Sequence, residues 1–199
     1  EMTGIIKYLD KDKKKKIEKH DHYDIRLKDK NILRYNDVRK FGSIHWSKNM
    51  EDHFLIKNLG VEPLSKNLNI TYLKNIIKNR SVSIKNLIMN QNIIVGVGNI
   101  YASESLFLAS INPLRPAKKI SLSECDDIIK AIKKVLKQAI KMGGTTLKDF
   151  YSADGSEGYF KLELNVYGLE DKPCKKCKRK IKRIVLGQRS TFFCENCQV

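Results

Sequence analysis

Four thiols stand in two Cys-x-x-Cys pairs, Cys174/Cys177 and Cys194/Cys197, with residues 178–193 between them. Two residues between thiols let a tight turn present both sulfurs to one ion, and a second such turn completes a tetrahedron. Four thiolates leave no coordination position open. The expected ion is therefore one structural Zn2+, which in finger peptides contributes about 10–16 kcal/mol of folding free energy. The segment between the pairs is expected to form a β-hairpin with "LGQRS" as its turn. Around the thiols lie Lys175, Lys176, Lys178, Arg179, Lys180, Lys182, Arg183 and Arg189 against one acid, Glu195. Exposed cations on a rigid hairpin suit a phosphate backbone. Arg189 differs from the rest because it sits at the turn, where its planar fork of donors can reach into a narrow place. A solvated surface accounts for most of the lysines equally well.

A second stretch, "NQNIIVGVGNIYASESLF" at residues 90–107, has a different chemistry. Gly96 and Gly98 allow close backbone approach, and Asn99 then opens a helix whose free N–H groups and positive dipole end attract anions. The glycines are too few and wrongly spaced for a phosphate loop ending in Gly-Lys-Ser/Thr. Asparagine at a helix start is also an ordinary cap.

These groups need elements to hold them. "GIIKYLD", "YDIRLKD" and "NILRY" alternate as strands do, and "GSIHW" is a further candidate. From about residue 66 the period turns helical: "LNITYLKNIIKN", "SIKNLIMNQ" and "NIYASESLFLAS" predict short helices. The longest helix starts at a capping box, Ser121-x-x-Glu124. Its expected apolar stripe runs Ile128, Ile129, Ile132, Val135, Leu136, Ala139 and Ile140, with Gly143-Gly144 as the stop. Cys125 falls in this helix as a core or boundary thiol. "LELNVYG" predicts a strand leading to the cysteines.

Composition sets the frame. With 41% hydrophobic residues the chain can bury a core, and a net charge of +17 favours a polyanionic partner, nucleic acid first and an acidic membrane surface second. Codon drift toward Lys, Asn and Ile also raises the lysine count. No apolar stretch is long enough to span a bilayer and no signal-peptide pattern opens the chain, so a soluble, cytoplasmic protein is expected. Clustered thiols fit a metal site in a reducing compartment better than a disulfide scaffold.

With these residues assembled, the chain resembles the formamidopyrimidine-DNA glycosylases, bacterial enzymes that excise oxidised purines. "VGVGNIYASESLF" joined to "GQRSTFFCENCQ" carries the likeness, and "MTGIIKY", "KHDHYDIRL", "LRYNDVRKFG", "LGVEPLS" and "GGTTLKDFYSADGSEGYF" extend it. The resemblance implies an α+β multidomain protein: a partial N-terminal β-sandwich over residues 1–62, a helix–two-turn–helix domain over 63–160 and a C-terminal zinc β-hairpin over 161–199. It implies a monomer on damaged double-stranded DNA, with no membrane role. Met2, Arg39 and Phe41 match the residues that fill the gap left by a flipped nucleotide, a sensible set because an apolar wedge replaces lost stacking. His20, Arg39, Arg80, Lys85, Asn99 and Arg189 match phosphate contacts. Lys40 stands where the family often has arginine, which keeps the charge and loses the bidentate fork. Arg189 is also the residue the family uses in δ-elimination, and "YSADGSEGYF" resembles the loop that closes over the flipped base.

The family attacks C1′ with the amine of an N-terminal proline beside a glutamate acid, and has a catalytic lysine in the same β domain. This sequence begins at Glu1-Met2, inside that domain, and contains none of the three. The expectation is a truncated sequence that grips lesions without excising bases. Other readings of the same residues are a non-catalytic DNA-binding protein, the sister enzyme for oxidised pyrimidines, and a zinc-ribbon RNA or ribosomal protein. The last explains the charge but not the wedge residues.

Overall fold

The computed structural model describes residues 4–11, 16–142 and 164–199. Met2, the Gly143-Gly144 stop and the "YSADGSEGYF" loop lie outside them. The chain divides into two compact units, the first carrying the described residues up to Lys48 and the second those from Asn49 onward.

The first unit is an antiparallel sheet of β1 (Gly4–Leu9), β2 (Asp21–Arg26) and β3 (Ile32–Asp37), with β3 in the middle. The period of two sorts its side chains onto two faces. Ile6, Tyr35 and Tyr23 share one register row, and Tyr8, Leu33 and Ile25 the next. Lys7, Arg34 and Asp24 share a row on the other face. There Arg34, only 5% exposed, makes a two-pronged bond to Asp24 (2.8 and 2.9 Å) and also meets Asp21 at 3.3 Å. The bond to Arg34 holds the Asp24 carboxyl below its usual range. The expected fourth strand, "GSIHW", is absent: Ser43 to Trp46 are in no strand and are exposed. The chain leaves the sheet because Lys40 takes a left-handed φ of 57° and Gly42 passes so close to the Tyr35 hydroxyl that any Cβ there would collide with it.

The second unit holds α1 (Phe54–Lys57), α2 (Ile70–Ile77), α3 (Ile84–Ile88), α4 (Asn99–Leu108) and α5 (Leu122–Lys141), then a hairpin of β4 (Lys182–Leu186) and β5 (Arg189–Phe193). The short α1 was not expected from the period. Each of α2, α3 and α5 starts at a capping residue, Asn69, Ser83 and Ser121 respectively, whose side chain accepts from the backbone N–H three residues on. The capping box at Ser121 and Glu124 is complete. Arg115 grips the Glu124 carboxylate at 2.6 and 3.0 Å, and that bond first of all holds its pKa down to about 2.

The α5 stripe packs as expected from Ile128 to Ala139, with Cys125 fully buried among it. Ile140 corrects the expectation: it is 66% exposed, because the stripe ends at Ala139 in the last turn. Leu73, Ile77, Ile84, Leu87, Leu106 and Ile132 form the centre of the helical core. A second, smaller core of Phe107, Val166, Ile181 and Phe192 lies under the hairpin. No described helix is long and apolar enough to cross a membrane.

The expected strand "LELNVYG" is also corrected over its described residues. Asn165 to Tyr167 curl as a turn, because the buried carboxylate of Glu104 draws their three backbone N–H groups inward, all at 2.9 Å.

Candidate functional site

The four cysteine sulfurs lie within 4.8 Å of one another, with Cys174 to Cys197 at 3.9 Å and Cys177 to Cys194 at 3.4 Å. A tetrahedral ion with bonds of about 2.3 Å needs sulfurs about 3.8 Å apart, so the four residues fit a zinc ion. As bare thiols, Cys177 and Cys197 are driven in opposite directions. The backbone N–H of Arg179 pulls Cys177 down to about 6, while burial and the neighbouring sulfurs push Cys197 up to about 12. A cation that favours all four thiolates removes that competition. Lys176, between the first pair, fastens this knuckle to the helices: its ammonium lies 4.7 Å from the centre of the Phe107 ring.

The hairpin turns on Gly187 and Gln188, whose φ values of 56° and 60° make the two-residue turn that matches strand twist. Arg189 therefore stands as the first residue of β5, opposite Leu186, and is exposed. Beneath it the hairpin meets two helices. The carbonyl of Ser190 accepts from Asn99 Nδ2 at 2.9 Å and from Lys85 Nζ at 3.3 Å, and Lys85 also donates to Thr191 Oγ1 at 2.6 Å. The structure thus joins Lys85, Asn99 and the strand that begins with Arg189. Gly96, at φ 73°, and extended Gly98 lead into α4 as the glycine spacing suggested. Asn99 Oδ1 is buried and has no hydrogen-bond partner among the described residues, which leaves one acceptor of the site unused.

Lys85 is placed differently from an open phosphate contact. It is fully buried, and its ammonium is engaged with protein oxygens. Burial first, and then the charge of Arg189, pull its pKa down to about 8. The consequence for folding has a definite sign. Between about pH 8 and the ordinary lysine value of 10.5 the unfolded chain keeps a proton that the folded one has released. The folded state therefore gains stability from this group as pH rises through that window, and the full penalty for burying the charge applies below it. Urea unfolding from pH 7.5 to 10.5 should show a slope approaching one proton that Lys85→Met abolishes. A slope unchanged in the variant would place the titration elsewhere.

Arg80 lies exposed just beyond α2. In the first unit, Arg39, Lys40 and Phe41 occupy the turn after β3. Phe41 is 78% exposed and the Arg39 guanidinium stands 5.2 Å from its ring centre. His20 is half-buried, and its carbonyl accepts from Asp37 N at 3.0 Å. The turn owes its shape to the fully buried Asp37. One carboxylate oxygen accepts from Arg39 N at 3.1 Å, and the other from the Tyr35 hydroxyl and Gly42 N, both at 2.9 Å. Neither Asp37 nor Glu104 was picked out from the sequence. An aspartate two residues before an Arg-Lys pair and a glycine offers a weak local signal, whereas Glu104 in a helix offers none.

Comparisons with known proteins agree with this geometry. The family model for the "Formamidopyrimidine-DNA glycosylase H2TH domain" matches residues 59–151, that for the "Formamidopyrimidine-DNA glycosylase N-terminal domain" residues 1–44, and that for the "Zinc finger found in FPG and IleRS" residues 171–199. The formamidopyrimidine-DNA glycosylase of Haemophilus influenzae strain PittEE is 47% identical over 197 residues, which are 99% of this chain and 72% of that protein. That of Hydrogenovibrio crunogenus is 50% identical over 181 residues, 90% of this chain and 65% of that one. Among solved structures, the Lactococcus lactis protein in complex with DNA containing an abasic site superposes with a TM-score of 0.87 at 33% identity, over 99% of this chain and 72% of that one. The Thermus thermophilus protein superposes at 0.84 with 33% identity, over 99% and 73%. A zinc hairpin docked through Ser190 onto the start of α4, together with relatives this similar over nearly the whole sequence, places the chain in the formamidopyrimidine-DNA glycosylase family.

Proposed function

We propose that this protein acts in base-excision repair, flipping oxidised purines such as 8-oxoguanine and formamidopyrimidines out of duplex DNA, releasing them and cleaving the strand by β,δ-elimination. The observation that carries the reading is the junction at Ser190, where Asn99 at the start of α4 and Lys85 from α3 hold the strand that projects Arg189. A helix start and an exposed arginine side by side form a phosphate grip of fixed geometry. In this reading Arg189 holds the phosphates beside the lesion and serves the δ-elimination. Asn99, Arg80 and His20 bind the backbone, and Lys85 adds its charge from beneath the hairpin. Arg39 and Phe41, with Met2, fill the vacated stack, and Lys40 contacts the strand by charge alone. The functional divisions are residues 1–62, 63–160 and 161–199.

The secondary amine that starts this chemistry in the family is an N-terminal proline, which these 199 residues do not include. For this stretch by itself the expected behaviour is lesion binding without base excision. Borohydride trapping on a duplex with one abasic site, run beside a binding titration, tests both parts. The expected result is no covalent adduct, and tighter binding to the abasic duplex than to an intact one across a salt series. An adduct would show that another amine of the chain reaches C1′. Equal affinity for both duplexes at every salt concentration would leave only nonspecific charge and would sink the lesion-binding reading.

A further inference from the structure

We propose that Gln198 is a positioning residue that fixes the direction of β5 and so aims Arg189; the inference rests on the phosphate-gripping role given to Arg189 above. Gln198 is 1% exposed, and a glutamine is seldom buried unless its amide is fully used. Here it is used at both ends. Oε1 accepts from the backbone N–H of Cys194 at 2.9 Å, and Nε2 donates to the carbonyl of Ile111 at 2.9 Å. Cys194 directly follows β5, and Ile111 belongs to the helical core in the loop after α4. One side chain thus ties the far end of the hairpin strand to the helices.

The near end is tied at Ser190 by Asn99 and Lys85. Three residues lie between Ser190 and Cys194, about 13 Å of extended chain from one to the other. A strand held at one point can pivot; a strand held at two separated points has a fixed axis. Zinc would add only an indirect tie, from Cys194 to the first knuckle and from there through Lys176 to Phe107. The backbone bonds of Val199 to Ser110 and Asn112 hold the C-terminal segment, which reaches Cys194 through Gln198 N and Cys197 N, whereas the Gln198 side chain spans from Cys194 to the helices directly. Functional constellations tolerate about 10–20° of misorientation. Without the Gln198 bond the end of β5 rests on apolar packing against Phe107 and on the C-terminal backbone, which fix direction less sharply, and the long Arg189 side chain magnifies any tilt at its guanidinium.

The test is a double-mutant cycle on the zinc-loaded chain, with Gln198→Met and the shorter Gln198→Asn each made alone and with Arg189→Ala. Zinc content and affinity for an abasic duplex are the readouts. Both Gln198 variants should keep one zinc per chain and lose about tenfold in affinity, the scale of one or two buried hydrogen bonds. In the Arg189→Ala background the same changes should cost less than about twofold, since a positioning residue has no effect once the group it aims is gone. Loss of zinc in both variants would make Gln198 a metal-retaining residue and overturn the proposal. So would unchanged affinity, or a full tenfold loss without Arg189. If Arg189→Ala alone leaves affinity unchanged, the phosphate-grip reading itself fails and takes this inference with it.

Discussion

Removal of zinc, by chelation or by Cys174→Ser, is expected to unfold the hairpin module while the helical core remains. Among the described residues its own apolar core is small, and its polar ties to the helices presuppose that the hairpin is already formed. Its core is a handful of residues, Phe107, Val166, Ile181 and Phe192 with the sulfurs themselves, and a lone two-stranded hairpin is marginal in water. Against that stands about 10–16 kcal/mol from a four-thiolate ion. The helical cluster takes none of its residues from the hairpin, so α2 to α5 should survive. The far-ultraviolet helical signal should therefore change little, while dispersed amide resonances of β4 and β5 collapse and abasic-duplex affinity falls at least a hundredfold. Hairpin resonances that stay dispersed in the zinc-free protein would show that packing on Phe107 suffices without the ion.

Glu104→Ala should be the most damaging single change outside the zinc ligands. The carboxylate is 1% exposed, and each oxygen accepts two hydrogen bonds: Asn165 N and Nδ2 on one, Val166 N and Tyr167 N on the other, at 2.8–2.9 Å. Alanine takes the partner from three backbone N–H groups, that of fully buried Val166 and those of half-buried Asn165 and Tyr167. At about 1–3 kcal/mol for each unsatisfied group, and allowing for partial relaxation, the expected loss is about 3–4 kcal/mol in urea unfolding. Glu104→Gln should recover little, because half of its amide is a donor facing donors. A loss under about 1 kcal/mol in both variants would mean that solvent reaches these groups easily and that Glu104 does not organise the turn. The expected functional effect follows from position. Val166 of this turn packs in the hairpin core and the Tyr167 ring stands 5.0 Å from that of Phe192, so loosening the turn on Glu104 disturbs the hairpin directly.

How far each part could be read from the sequence depends on the range of the interactions that form it. The zinc site needed only two turns with fixed spacing, and all four sulfurs do converge. The long helix α5 declared its start through Ser121 and Glu124 and its buried face through a 3.6-residue period. Three strands showed their alternation, although which face is covered did not follow from it: Ile6, Tyr8, Tyr23 and Ile25 are exposed, while Arg34 on the opposite face is buried among carboxylates. "LELNVYG", over its described residues, failed as a strand because buried Glu104 takes backbone N–H groups that a sheet would have used. "GSIHW" instead follows a left-handed turn at Lys40, where buried Asp37 accepts from Arg39 N and Gly42 N.

By itself, then, the sequence determined the metal, the family's motifs and the identity of the exposed groups at the hairpin tip, because spacing and local periodicity are properties of the chain. Only the tertiary structure decided what those groups are fastened to. Lys85 reaches Thr191 across 106 residues, Gln198 reaches Ile111 across 87 and Glu104 reaches Val166 across 62. No local pattern marks such partners, since a buried polar side chain is worth its desolvation only where a distant segment supplies the matching hydrogen bond.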